Sequence, residues 1–331
     1  MRILLTRLSS LGDIVHTWPL ADSLAAREDV ELAWLVEEPY LPLVERRPGV
    51  AHTIAVATRR WRRAPFAPRT WREIRATTRR LRAFAPELSV DPQGLVKSAI
   101  WPASAGVGRR VGLARGARRE SAAGLFYTET IDVPVRHRHV VDRNLALARA
   151  AGADDTPGAI PDAGPLGNGA APSWLPAGAV ALLPATAGGG KAWPGRCFAA
   201  LACRLLAQGR RPVLLWGPGE EELARGIAAG AAGALVAPPT TISSLAAALR
   251  HCSAAIGGDT GPVHLAAALK VPTVAVFVAS DPERNGPRGE RVRVLSGAAA
   301  GAGGGRARTR RERDVTVEDV EAAVEELLSQ R

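Results

Sequence analysis

Residues 254–269, AAIGGDTGPVHLAAAL, decide how this chain is read. A short apolar run ends in Gly257 and Gly258, the polar turn Asp259-Thr260-Gly261 follows, and good helix formers continue from Pro262 to Leu269. That is the order buried strand, tight loop, helix. The same order occurs twice upstream, where Val180-Ala181-Leu182-Leu183 enters a glycine-rich loop and Pro212-Val213-Leu214-Leu215-Trp216 enters Gly217-Pro218-Gly219. Near the start, Ile3-Leu4-Leu5 enters Ser9-Ser10-Leu11-Gly12-Asp13, with a helix expected from about Ile14. Residues 32–36 and 87–91 read as further strands separated by helical patterns. Strands alternating with helices pair in parallel, so the predicted class is α/β with two Rossmann-like, doubly wound domains. Ligands of such sheets bind at the carboxyl ends of strands, and the two halves are expected to face each other across a cleft.

A chain of 331 residues exceeds one ordinary hydrophobic core. Residues 152–178, crowded with Gly, Pro, Ala and Asp, mark the division, which gives domains 1–160 and 161–331. Residues 297–313, rich in Gly, Ala and Arg, read as a loop. Residues 315–328 carry apolar positions at 317, 320, 324 and 327 with acids between them, a closing amphipathic helix that can pack back on the first domain.

With 47% hydrophobic and 23% charged residues, the composition is that of a folded protein and excludes disorder. The opening run is interrupted by Arg7 and lacks a secretory cleavage pattern, and no apolar stretch is long enough to span a bilayer. A cytoplasmic protein is expected. Cys197, Cys203 and Cys252 are odd in number and lack metal-ligand spacing, which predicts buried thiols in a reducing compartment, with neither disulfide nor zinc.

The net charge is +11, and residues 1–165 hold the larger surplus, with 25 Lys and Arg against 18 Asp and Glu. Its densest part runs from Arg59 to Arg82, with ten arginines opposed only by Glu73 and with Trp61, Phe66 and Trp71 among them. A solvated helix face normally mixes signs, so this segment points to a polyanion. Interleaved Trp and Arg suit an anionic membrane surface and equally suit single-stranded nucleic acid.

Several residues can carry chemistry. Asp13, at the first strand-to-helix turn, can take a proton from an attacking hydroxyl or can simply cap its helix. The start of the helix after Asp259-Thr260-Gly261 suits a diphosphate, while helix capping explains Asp259 and Thr260 as well, and His264 reads first as a half-buried imidazole. Residues 186–194, TAGGGKAWP, resemble a phosphate-cradling loop with Lys191 as a point charge, but Ala192 breaks the P-loop spacing. Glu220, heading Glu220-Glu221-Glu222, either complements a helix dipole or accepts bonds from a ribose.

Taken together, several stretches resemble glycosyltransferase family 9. They are Ser9-Ser10-Leu11-Gly12-Asp13 with His16-Thr17, Trp34 to Glu38, Arg59-Arg60-Trp61-Arg62 and Asp91-Pro92-Gln93-Gly94-Leu95-Val96-Lys97-Ser98. They continue through Leu125-Phe126-Tyr127, Lys191 to Pro194, and Asp259-Thr260-Gly261 with His264-Leu265. The Gln93–Ser98 segment is the most discriminating. Membership implies the GT-B architecture, inversion at the anomeric carbon, ADP-heptose as donor and Kdo-lipid A as acceptor, with no cofactor or metal. By resemblance, Asp13 is the general base. Thr186, Lys191, Glu220, Thr240, Asp259, Thr260, Gly261 and His264 hold the donor, and Ser10, Gly12, Arg60, Arg63, Lys97, Arg119, His139 and Arg143 meet the acceptor. A monomer attached peripherally to the cytoplasmic face of the inner membrane, without nucleic acid, is then expected.

The chain departs from the family pattern at Arg7, where lysine is usual, and at Ala187 and Gly188 to Gly190, where more polar residues are expected. A family-9 transferase adding a later core heptose, and a basic nucleic-acid-binding or nucleotide-binding module without transferase activity, remain as alternatives.

Overall fold

The computed structural model describes residues 1–133, 138–156, 158–184, 192–297 and 315–330. Its contacts divide into two compact units, Met1–Gly164 and Pro165–Arg331.

The first unit holds β1 (Arg2–Thr6), α1 (Leu11–Val15), α2 (Trp18–Ala25), β2 (Glu31–Glu37), β3 (Val50–Val56), α3 (Thr58–Arg63), α4 (Pro68–Phe84), β4 (Leu88–Asp91), α5 (Val96–Ala105), β5 (Arg109–Leu113), β6 (Glu129–Ile131) and α6 (Val140–Leu145). Its strands form one six-stranded sheet in the order β3-β2-β1-β4-β5-β6, and its strand pairs are parallel. The second unit holds β7 (Ala179–Leu183), α7 (Gly195–Ala207), β8 (Arg211–Leu214), α8 (Glu221–Ala229), β9 (Leu235–Val236), α9 (Ile242–Arg250), β10 (Ala254–Gly258), α10 (Gly261–Ala268), β11 (Thr273–Phe277), α11 (Pro282–Asn285), β12 (Val292–Ser296) and α12 (Val317–Ser329). Its parallel sheet runs β12-β11-β10-β7-β8-β9, which read from the β9 edge is the same order as the first. Both are doubly wound sheets, and in each the winding reverses beside the first strand, at β1 and β4 in one and at β7 and β10 in the other.

These strands form where the sequence places unbroken apolar runs, because a parallel sheet covered on both faces buries every side chain. Leu32 to Val36 in β2 and Ala179 to Leu183 in β7 are buried throughout. Real boundaries differ from the expected strands by one or two residues, and α1 starts at Leu11, three residues before the expected start. Asp13 therefore lies inside the first helical turn.

The close seating of α10 on β10 depends on Gly257. A Cβ there would lie 2.7 Å from Val263 Cγ2 and 2.8 Å from both Cβ and O of Leu183. Along α10, Val263 to Ala268 are all buried, the pattern of a helix enclosed on every side.

The closing helix α12 buries Val320, Ala323, Val324 and Leu327 in a cluster with Trp193, Phe198, Leu201 and Ile256. Its apolar face is thus used within the second unit, where the sequence had allowed a return to the first. Trp193 Nε1 donates to Val315 O at 2.9 Å and ties down the start of this helix. The thiols also differ from expectation: Cys252 is buried, and burial pushes its pKa up to about 12, but Cys203 is exposed and Cys197 half-buried. Residues 298–314, which contain most of the expected loop, lie outside the described residues. Among the described residues no helix is long and apolar enough to cross a membrane.

Candidate active site

In the first unit the reversal point lies between β1 and β4, and the two segments leaving these strands are bonded together. Arg7 Nη1 donates to Pro92 O at 3.0 Å, and Leu8 N donates to Gln93 Oε1 at 2.8 Å. Lys97 Nζ donates to Ser9 Oγ at 3.1 Å. The segment after β4 is itself braced from beneath by Asp91, which is 1% exposed. Its Oδ1 accepts from the backbone of Gln93 (2.8 Å) and Gly94 (3.2 Å), and its Oδ2 accepts from Ser98 Oγ (2.8 Å) and Tyr127 OH (2.9 Å). Burial nevertheless keeps the Asp91 pKa above the ordinary aspartate value.

Gly94 has φ +65°, a conformation that costs glycine little. A Cβ there would also lie 2.9 Å from Arg118 Cβ. That close approach lets Glu120 N bond Gly94 O at 3.0 Å, which brings the Arg118–Glu120 segment alongside the site.

Asp13 sits on this platform. Its Oδ1 pairs with Arg7 Nη2 at 2.5 Å, and its Oδ2 accepts from Ser10 N at 3.1 Å and Ser10 Oγ at 3.0 Å. The Arg7 side chain is 5% exposed and that of Asp13 29%, so the cation is fixed within the fold while the carboxylate keeps access to solvent. Burial alone would raise the pKa of Asp13. The Arg7 guanidinium, the two Ser10 donors and the charge of Arg119 outweigh it and hold the carboxyl below its ordinary value. Lys97 lies in a cationic neighbourhood: burial lowers its pKa, Glu37 opposes that, and Arg59, Arg62 and Arg119 lower it further.

Of the expected acceptor residues, Ser10 bonds Asp13, Gly12 precedes it in α1, Arg119 acts on it electrostatically and Lys97 bonds Ser9 in the same turn. Arg60 is engaged elsewhere, paired with Glu38 (2.9 Å) and Glu73 (2.7 Å). In α3 it is Arg59 and Arg62, one turn apart, that act electrostatically on Lys97, a face that the run of arginines in the sequence does not reveal. Arg63 is exposed. His139 caps α6, with Nδ1 accepting from Val141 N at 3.2 Å, and its ring meets His16, the C-cap of α1, at 5.6 Å. Arg143 donates to Ala117 O at 2.8 Å, two residues before Arg119. These two side chains support the site from the side. Trp61, expected at the surface, turns inward beside Trp101 and donates to Glu73 at 2.7 Å.

In the second unit the corresponding reversal point lies between β7 and β10. The loop after β7 contains Thr186 and Lys191, with Ala187 and Gly188 to Gly190, and lies outside the described residues. After β10, Thr260 is the N-cap of α10 and Gly261 its first residue, with His264 one turn on and its Nε2 3.6 Å from Asp259 Oδ1. Glu220 is the N-cap of α8 and its Oε2 accepts from Gly217 N at 2.7 Å, so its carboxylate closes its own turn. Thr240 is half-buried just before α9, whose cap is Thr241.

Comparison with known proteins identifies the family. The glycosyltransferase family 9 (heptosyltransferase) model matches residues 74–315. The lipopolysaccharide heptosyltransferase 1 of Pseudomonas aeruginosa is 35% identical over 291 residues, covering 87% of this chain and 82% of that protein. The protein of that name from Escherichia coli K12 is 32% identical over 297 residues, covering 89% and 93%. Among solved structures, E. coli heptosyltransferase WaaC with ADP superposes with a TM-score of 0.83 at 30% identity, covering 99% of this chain and 100% of that one. Two parallel doubly wound units are the architecture of the GT-B transferases, and this chain belongs to glycosyltransferase family 9, the heptosyltransferases.

Proposed function

We propose that the protein transfers heptose from ADP-heptose to the Kdo of Kdo-lipid A, a step of lipopolysaccharide inner-core synthesis, with inversion and without a metal. The observation that carries this reading is the Asp13 carboxylate, paired with Arg7 at the reversal point of the first sheet, with Arg119 acting on it and Lys97 bonded to Ser9 in the same turn. The names of the relatives support the substrate class, and heptosyltransferase WaaC has been solved with ADP and with ADP-2-deoxy-2-fluoro heptose.

In the proposed reaction the acceptor hydroxyl oxygen attacks the anomeric carbon of the heptose. Its proton passes to Asp13, and the bond from that carbon to the diphosphate breaks, so that ADP departs with the electron pair. Lys97 and Arg119, with Arg59 and Arg62 behind them, offer cations to the Kdo carboxylate and lipid A phosphates. The first unit thus receives the acceptor, and the second holds the donor. There the N-terminal end of α10 at Thr260 and Gly261 and, on sequence resemblance, Thr186 and Lys191 would stabilise the charge growing on the departing diphosphate. Asp259, His264, Glu220 and Thr240 are read as lining the same donor site. A glycolipid acceptor makes the protein peripheral to the cytoplasmic face of the inner membrane, and a monomer suffices for the chemistry.

The test is a mass-resolved assay with ADP-heptose. Addition of one heptose to Kdo-lipid A, and none to an already heptosylated core, is expected. The reverse preference would assign the enzyme to a later heptose and reject Kdo-lipid A as the acceptor.

A further inference from the structure

The segment from α3 through α4 presents a cationic face whose charge is not answered within the described residues. Its one carboxylate, Glu73, accepts from Trp61 Nε1 (2.7 Å), Arg69 Nε (2.8 Å) and Arg60 Nη1 (2.7 Å), and these bonds lower its pKa to about 2. Arg82 donates to Ser104 O at 3.0 Å. Arg62, Arg63, Arg72, Arg75 and Arg79 are exposed and make no ion pair among the described residues. In α4 the buried positions are Thr70, Thr77 and Leu81. Trp71, Arg75 and Arg79 follow at intervals of four and form one outward stripe.

Two large aromatics lie on this cationic face. Phe66, in the turn joining α3 to α4, is 92% exposed, and Trp71 is 51% exposed. Water rewards neither ring. An anionic bilayer accommodates both features, because guanidinium groups meet lipid phosphates while aromatic rings settle at headgroup depth. Single-stranded nucleic acid would also take cations and rings, but it is gripped in grooves that track its backbone, whereas Phe66 stands on a turn between two helices. The same arm supplies Arg59 and Arg62 to the neighbourhood of Lys97, so it borders the site that would receive a glycolipid.

We propose that the α3–α4 arm is the element that docks the protein on an anionic bilayer, with Phe66 and Trp71 entering the interface and Arg62, Arg63, Arg72, Arg75 and Arg79 meeting lipid phosphates. This deepens the proposed glycolipid function and rests on it for the choice of a membrane as partner.

The test uses the full chain and phosphatidylcholine vesicles with or without phosphatidylglycerol. Wild type should co-sediment with the phosphatidylglycerol vesicles and much less with the neutral ones. Phe66→Ser with Trp71→Ser should weaken that binding by about tenfold or more. Arg72, Arg75 and Arg79 changed together to Gln should weaken it on the order of 100-fold, since each cation near the surface contributes about fivefold. Both variants should turn over a water-soluble Kdo acceptor at the wild-type rate. Lipids brominated at headgroup depth should quench wild-type fluorescence more than that of Trp71→Phe. If wild type binds and both variants bind equally well, the arm is not the docking element, although the glycolipid function stands. If wild type sediments with no vesicle, or binds an oligonucleotide far more tightly than vesicles, the choice of a membrane as partner falls with it.

Discussion

At the residue scale, the central feature is the pair of Arg7 and Asp13. A guanidinium that is 5% exposed needs an opposite charge, and Asp13 provides it at 2.5 Å. The same contact keeps the carboxylate ionised, while Ser10 fixes the direction of its second oxygen. The stability gained from a depressed pKa is lost only as the pH falls through the folded value, below the ordinary range near 4 for aspartate. Both the ionised carboxylate and its contribution to stability are therefore intact from about pH 5 upward. Replacing Arg7 by Met removes the strongest force opposing burial, so the acid limb of the kcat/KM profile should move to higher pH, while Arg7→Lys should restore it in large part. An unmoved acid limb in a folded Arg7→Met variant would separate Arg7 from the control of Asp13. Sequence alone singled out Asp13 as either base or cap. Its carboxylate does bond the N-cap backbone of its own helix, and that bond leaves it ionised and open to solvent, as a base requires.

At the scale of elements, the candidate site is a junction between two strand-to-helix turns, and residues 91–98 form one side of the tie between them. Asp91, Ser98 and Tyr127 brace the turn from below, while Gln93 bonds the segment that leads to Asp13. Tyr127→Phe removes one donor from a buried carboxylate and should cost about 1–3 kcal/mol of stability, measured by urea unfolding. A loss within the error of the measurement would show that the bond contributes little. The strand, loop and helix order was legible because each central strand is buried on both faces and reads as an apolar run. The roles of Asp91, Gln93, Arg59 and Arg62 were not, because they depend on which turn lies beside which after the chain has crossed the sheet. Arg60 illustrates the limit: the sequence shows a run of arginines, and only the fold shows that Glu38 and Glu73 engage this one.

At the scale of the molecule, two doubly wound units divide the proposed work. The first presents the Asp13 carboxylate beside cations and carries the larger part of the +11 charge, as suits the proposed anionic acceptor. The second presents the helix starts that suit a diphosphate. Composition indicated two cores and a basic surface, but the packing of α12 within the second unit followed from which core had room for Val320, Val324 and Leu327. This division separates chemistry from donor binding, and a single comparison addresses it. Asp13→Asn keeps the shape of the side chain and an oxygen for Arg7 while removing the proposed proton acceptor. Single-turnover transfer from ADP-heptose to Kdo-lipid A, measured alongside calorimetric ADP affinity, should fall by about 100-fold or more with ADP affinity nearly unchanged. Transfer at the wild-type rate by the folded Asp13→Asn protein would contradict the role of Asp13 as the base.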